Sequence, residues 1–244
     1  MPALNHRPEA AGRPVRVGHK GAHLIAPGNT PASFEAALAA GVDMIEFDVL
    51  PRRLDGSGGL ILAHDYMDAS RRRPLTLEEG LTHLAEARYG DLRLDLDLKL
   101  PGYEQEVVDA LHRHGLAGRT LISTMEPSSI DLLREIAPGI PLGRSFPRIR
   151  RDPTSRPILR WPAYLLLAWY RWRVPSIAAR DIRRGRIDAL MCHWAFVSRR
   201  LVDAVRKAGG ELYVWTVDDA RRIARLEAMG VTGVITNDPR LFAP

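Results

Sequence analysis

The chain is poor in cysteine. Cys192 is the only one in 244 residues, which excludes an intrachain disulfide and a thiolate-based zinc site. It fits a reducing compartment, so a cytoplasmic location is the expectation. Neither G-x-G-x-x-G nor a P-loop occurs, which removes the glycine-rich phosphate cradles of nucleotide-binding folds. The first sixteen residues carry proline and arginine but no apolar core. They do not read as a secretory signal, and residues 1–15 are expected to be a disordered tail. No Gly/Ser linker interrupts the remainder, so residues 16–244 are expected to form one domain with a sizeable core.

Positive charge is present but uneven. The net charge is +6, yet the span 144–186 holds twelve arginines against two acids, Asp152 and Asp181, which leaves the rest mildly acidic. Such a patch attracts a polyanion, a phosphate-bearing substrate or an anionic membrane surface, unless it is simply a solvated face. Within it, residues 158–175 combine three tryptophans, two tyrosines and flanking arginines. Their apolar run is too short to span a bilayer. They read either as an interfacial segment making peripheral membrane contact or as a barrel helix with a buried inner face. Nucleic acid is not an expected partner.

Strand-like runs alternate with helical ones. Strands are expected at Arg16–Gly18, Met44–Val49, Leu94–Lys99, Thr120–Ser123, Pro141–Arg144, Asp188–Cys192, Glu211–Thr216 and Gly233–Thr236, with a short extra strand at Leu60–Ala63. Thr30 with Pro31 marks a helix start and Gly41 its end. Eight strands, most followed by a helix, predict an α/β fold, a (β/α)8 TIM barrel with a small insertion after the second strand. In such a barrel the chemistry sits at the carboxyl ends of the strands. His19, Glu46, Asp48, Asp97, Lys99 and Trp215 all fall there.

The strands buried in such a barrel should be continuously apolar, and these are not. Glu46 and Asp48 alternate along one run, and Asp95, Asp97 and Lys99 along another, so each set shares a face. Converging carboxylates suit a hard divalent cation, Mg²⁺ or Ca²⁺, through oxygen. The alternative is a set of structural ion pairs, with Lys99 neutralising Glu46. Lys99 could equally hold a phosphate oxygen. His19 and His64 each end an apolar run beside a charged residue and are candidates for general acid and base. Trp215 either walls a substrate pocket or fills core. Asn29 either orients a ligand or makes an Asx turn.

Taken in order, these pieces resemble the glycerophosphodiester phosphodiesterase family. The matching residues are His19-Lys20-Gly21, Pro27-Gly28-Asn29-Thr30, Ser33-Phe34, the run from Gly41 to Val49, Asp55-Gly56 and His64-Asp65, then Asp97-Leu98-Lys99, Trp215-Thr216-Val217-Asp218 and Thr236-Asn237-Asp238-Pro239. The resemblance implies a TIM barrel that hydrolyses a phosphodiester with a divalent metal. It implies His19 and His64 as the acid/base pair, Glu46, Asp48 and Asp97 as metal ligands, and Lys99 as a phosphate or ligand-orienting group; Lys20 is expected beside Lys99 at the phosphate, with Trp215 and Asn29 as the candidate substrate-site residues read above. The chain departs from the family pattern in three places: Lys20 replaces an arginine, Gly28 replaces a glutamate, and Asp97 replaces a longer glutamate. Asp97 with Lys99 two residues later also looks like the spider-venom phospholipase D enzymes, which act on sphingomyelin and lysophospholipids. A lysophospholipid substrate and a catalytically weakened phosphodiester-binding barrel are therefore carried as alternatives to glycerophosphodiester hydrolysis.

Overall fold

The computed structural model describes residues 13–147 and 160–242, with the backbone alone for 160–167. Its strands are β1 (Val15–Gly18), β2 (Met44–Pro51), β3 (Leu60–Leu62), β4 (Arg93–Leu98), β5 (Thr120–Thr124), β6 (Leu142–Phe146), β7 (Ala189–His193), β8 (Glu211–Trp215) and β9 (Gly233–Thr236). Neighbours pair in parallel from β2 through β4 and on to β9, and β1 pairs with both β9 and β2. The sheet thus closes into a parallel eight-stranded TIM barrel. β3 hangs antiparallel on the end of β2, inside the insertion expected after the second strand.

Alternation sorts the side chains. All eight residues of β2 are buried, because one face meets the helices and the other fills the barrel. Ile45, Phe47 and Val49 join the large cluster between sheet and helices. Met44 packs with Val17, Leu121, Met191, Tyr213 and Ile235 in a separate cluster. That second cluster is the interior plug expected of a barrel of this size. Charged residues that would be intolerable in the first layer sit above this plug.

The helices are α1 (Pro31–Ala39), α2 (Tyr66–Ser70), α3 (Leu77–Leu84), α4 (Glu104–Arg113), α5 (Pro127–Ile136), α6 (Arg160–Arg183), α7 (Arg199–Lys207) and α8 (Ala220–Met229). Thr30 caps α1 in a capping box with Ser33, which satisfies two otherwise orphaned backbone donors. Helix α6 takes most of the arginine- and tryptophan-rich segment. Residues 158 and 159 of that segment lie outside the described residues. Val174 and Ala178 are buried, whereas Trp169 and Trp172 are exposed. Among the described residues, no helix is long and apolar enough to cross a membrane.

Three buried tyrosines make a prediction about alkaline stability. Burial pushes the Tyr89 hydroxyl up to about 12. Burial also raises Tyr103, whose hydroxyl donates to Val49 O at 2.7 Å, and Tyr213, which donates to Glu211 at 2.9 Å. The folded state holds these protons, and the unfolded chain releases them near pH ~10. Above that pH the unfolded state binds fewer protons, so stability falls as pH rises. The denaturation midpoint should be flat approaching pH ~10 and decline beyond it, with these tyrosinates appearing together with unfolding. A midpoint unchanged well into alkaline solution would contradict this.

Candidate active site

Register brings the carboxylates together. In the parallel pairing of β2 with β4, Glu46 lies opposite Asp95 and Asp48 opposite Asp97. Adjacent strands are about 4.8 Å apart, so like charges are placed side by side. One oxygen each from Glu46, Asp48 and Asp97 lies within 4.8 Å of the others. Burial, then Asp48, pushes the Glu46 carboxyl well above its ordinary range. Burial raises Asp97 as well, and Asp95 to about 8.

Lys99 offsets this crowding. Its ammonium reaches Asp48 Oδ1 at 2.5 Å and forms a short ion pair with Asp97. Burial alone would lower Lys99, but Asp48, Asp97 and Glu46 together hold it well above the ordinary lysine value. Burial would likewise raise Asp48, and Lys99 with the nearby His64, Lys20 and His19 instead holds it low. Sequence spacing allowed Lys99 to neutralise Glu46, and the direct partners are Asp48 and Asp97.

His19 follows β1 and is oriented by the far end of the chain. Its Nδ1 lies 2.6 Å from Asn237 Oδ1, and Asn237 Nδ2 donates to Asp218 Oδ2 at 2.6 Å. Asp218 also accepts from the Asn237 backbone at 2.8 Å and from Thr236 Oγ1 at 3.0 Å. A carboxylate only accepts, which fixes the Asn237 amide and makes its oxygen the atom facing His19. The His19 proton therefore resides on Nδ1. Nε2 is left with its lone pair, 3.8 Å from Glu46 Oε2. Burial, then Lys20, lowers His19 to about 3, so the ring is neutral at physiological pH. His64 stands after β3, half exposed, with Nδ1 3.2 Å from Asp65.

The loop between β1 and α1 builds the support beneath Glu46 and Asp48. Gly18 is required there, since a Cβ would lie 2.2 Å from Gly21 O. Lys20 adopts φ 52°, and its backbone N–H donates to Glu46 Oε2 at 2.7 Å. Asn29, at φ 57° and wholly buried, grips Asp48 twice. Its Nδ2 donates to Asp48 Oδ2 at 2.8 Å, and its Oδ1 accepts from the Asp48 N–H at 3.0 Å. Both ends of the amide are committed, so Asn29 positions Asp48.

The departure at Gly28 also has a steric basis. A Cβ at that position would lie 2.8 Å from both Lys20 Cβ and His23 Nδ1. The space that a glutamate side chain would leave through is filled by Lys20 and His23. Gly28→Ala should therefore cost about 1–3 kcal/mol, as overpacking does, read as a lower melting temperature. Gly28→Glu should lose activity despite restoring the family's carboxylate. A gain in turnover from Gly28→Glu would show that the loop can accommodate it.

A cavity of about 120 Å³ opens over these groups, lined by His19, Glu46, His64, Asp97, Lys99 and Trp215 among others. Asp95 and Trp215 both line it, and Asp95 Oδ1 and Trp215 Nε1 are buried without a hydrogen-bond partner. The side chain of Lys20 is not part of this lining. Asp218, Asn237, Ser123 and Ser145 are the site residues that spacing did not single out. The first two lay within quoted motifs, Trp215-Thr216-Val217-Asp218 and Thr236-Asn237-Asp238-Pro239, but nothing local ties Asn237 to His19, which is 218 positions away.

The donor set fits a hard divalent cation: three carboxylates, oxygen only, two of them buried and mutually repelling. Glu46, Asp48 and Asp97 would hold it, and Lys99 already supplies positive charge to two of the three.

The glycerophosphoryl diester phosphodiesterase family matches residues 93–241. The chain belongs to that family of TIM-barrel hydrolases. The glycerophosphodiester phosphodiesterase of Caldanaerobacter subterraneus subsp. tengcongensis is 25% identical over 255 residues, covering 91% of this chain and 93% of the relative. An Oleispira antarctica phosphodiesterase, solved in complex with the product sn-glycerol-3-phosphate, superposes with a TM-score of 0.68 at 21% identity, covering 93% of this chain and 94% of that one. The Thermotoga maritima glycerophosphodiester phosphodiesterase gives 0.65 at 20% identity, covering 94% and 96%.

Proposed function

We propose that the protein hydrolyses glycerophosphodiesters to an alcohol and a glycerol phosphate, with His19 and His64 exchanging protons and a divalent cation held by Glu46, Asp48 and Asp97. One observation carries this reading: a neutral imidazole, its proton locked on Nδ1 by Asn237, presents a free Nε2 beside the acidic cluster at the barrel mouth. The names of the relatives and the glycerol phosphate held by the Oleispira protein support it.

In this mechanism His19 Nε2 takes the proton of the attacking oxygen. The attacker is water or the glycerol's own neighbouring hydroxyl, which would first give a cyclic phosphate. The bond to the leaving alcohol breaks as His64 protonates its oxygen, and general acid–base help of this kind is worth about 10²–10⁴-fold per group. When bound, the cation polarises the phosphoryl oxygens and neutralises their growing charge. Lys99 remains protonated and adds fixed positive charge. Asn29 holds Asp48 in place, and the Lys20 N–H holds Glu46. Trp215 offers an unpaired indole N–H and an apolar wall to the substrate.

The small cavity favours a compact glycerol head over an acylated one, since drug-sized ligands occupy about 300–1,000 Å³. A lysophospholipid would have to leave its acyl chain outside. The test is choline release from glycerophosphocholine with and without EDTA. Chelation should abolish turnover, and added Mg²⁺ or Ca²⁺ should restore it. An unaltered rate after chelation would remove the metal from the reading, and binding without turnover under every metal would leave a phosphodiester-binding barrel.

A further inference from the structure

A second cavity lies away from the catalytic one. It is a groove of about 630 Å³ on the outside of the barrel, between α6, α7 and α8. Four guanidinium groups line it: Arg171, Arg199, Arg222 and Arg225. Arg171 donates to the Val197 carbonyl at 3.2 Å, and Arg222 lies 3.8 Å from the centre of the Trp194 ring. Among the described residues, none of the four has a carboxylate within ion-pairing distance, whereas Arg186, Arg134 and Arg144 elsewhere in the barrel are all paired with acids. The floor is apolar, made by Val197, Leu226 and Met229.

Four guanidinium groups with no carboxylate partner among the described residues, beside an apolar lining, are complementary to a ligand with one anionic end and one apolar end. A free phosphate would use the cations and leave the floor wet. Tryptophan lies at the same place, and its amphipathic ring suits a membrane–water boundary. Trp194 is exposed at the groove, and Trp169 and Trp172 are exposed on α6, which also supplies Arg171. The groove is connected to the catalytic rim. Trp194 follows β7 directly, and the His193 ring contacts both Trp194 and, edge-on, Trp215, with centroids 5.2 Å from each.

We infer that this groove is a second binding site, one that takes the headgroup of an anionic phospholipid in a bilayer and seats the barrel mouth beside the membrane surface. The inference does not depend on the hydrolytic reading, because vesicle binding is measured without turnover. The experiment is co-sedimentation of the full chain with phosphatidylcholine vesicles, with and without phosphatidylglycerol. Binding should require phosphatidylglycerol and weaken with salt. Arg222→Gln/Arg225→Gln should bind about 30-fold more weakly, which corresponds to roughly 1 kcal/mol per basic group near the surface. Its turnover of soluble glycerophosphocholine should equal that of the parent, which also reports that it folds. Arg199→Gln, on a different helix, should weaken binding about fivefold by the same constant. Equal sedimentation of parent and variants overturns the inference, as does failure of the parent to bind anionic vesicles. Full release by inorganic phosphate at constant ionic strength also overturns it, by assigning the groove to a free anion.

Discussion

Replacing His19 with glutamine lowers kcat for glycerophosphocholine by about 10²–10⁴-fold with little change in KM. Glutamine fills similar space and can still meet Asn237, so the fold and the binding of the diester survive. What is lost is a basic nitrogen that faces the acidic cluster with its lone pair free, Nε2 at 3.8 Å from Glu46. Asn237→Leu should give a smaller loss in the same parameter, because the ring remains but its tautomer is no longer dictated. Asp218→Asn is a finer probe. It removes the acceptor that fixes the Asn237 amide at 2.6 Å without touching the ring itself. Steady-state kinetics of the three variants should rank them His19→Gln, Asn237→Leu, Asp218→Asn in decreasing severity. Full activity in His19→Gln would refute the proposed base.

Replacing Lys99 with methionine destabilises the protein by about 3–5 kcal/mol, the usual cost of removing one partner from a buried ion pair. The side chain is of similar length, so little packing is lost. Asp48, Asp97 and Glu46 are then left facing one another with no internal cation. A divalent ion can occupy the same oxygens, so added Mg²⁺ or Ca²⁺ should raise the melting temperature of Lys99→Met by more than that of the parent. Differential scanning calorimetry with and without the ion measures both quantities. A variant as stable as the parent in EDTA would mean that the three acids are not strongly repelling, and the case for a cation between them would weaken.

Much of the barrel was legible because each strand states its own two faces. Period-two alternation in β2 and β4 located the acids on the inner side, and parallel register then set Glu46 against Asp95 and Asp48 against Asp97. Local signals also served where the physics is local, as at Thr30 and Pro31 in front of α1. What the sequence hid were contacts between residues far apart in the chain. Asn29 read as a group that orients a ligand or makes an Asx turn, and its amide also bonds Asp48 on a neighbouring strand. Helix α2, only five residues long and capped by Asp65, was missed because it is too short to show a period. The His19–Asn237–Asp218 chain depends on ring closure between β1 and β9, which no window of sequence contains. The arginine excess was visible as a number. That Arg171 of that span shares one groove with Arg199, Arg222 and Arg225 is a property of how three helices meet.

The seam between β1 and β9 has a consequence for how the protein fails. The residue that aims His19 follows the last strand of the cylinder, and the histidine itself follows the first. Fraying at that junction would unlock the imidazole while Met44, Leu121 and Tyr213 of the plug are still packed. Damage at the seam should therefore silence the chemistry before it melts the molecule, and a chain still emerging from synthesis stays inert until its final turn of the barrel has been laid down.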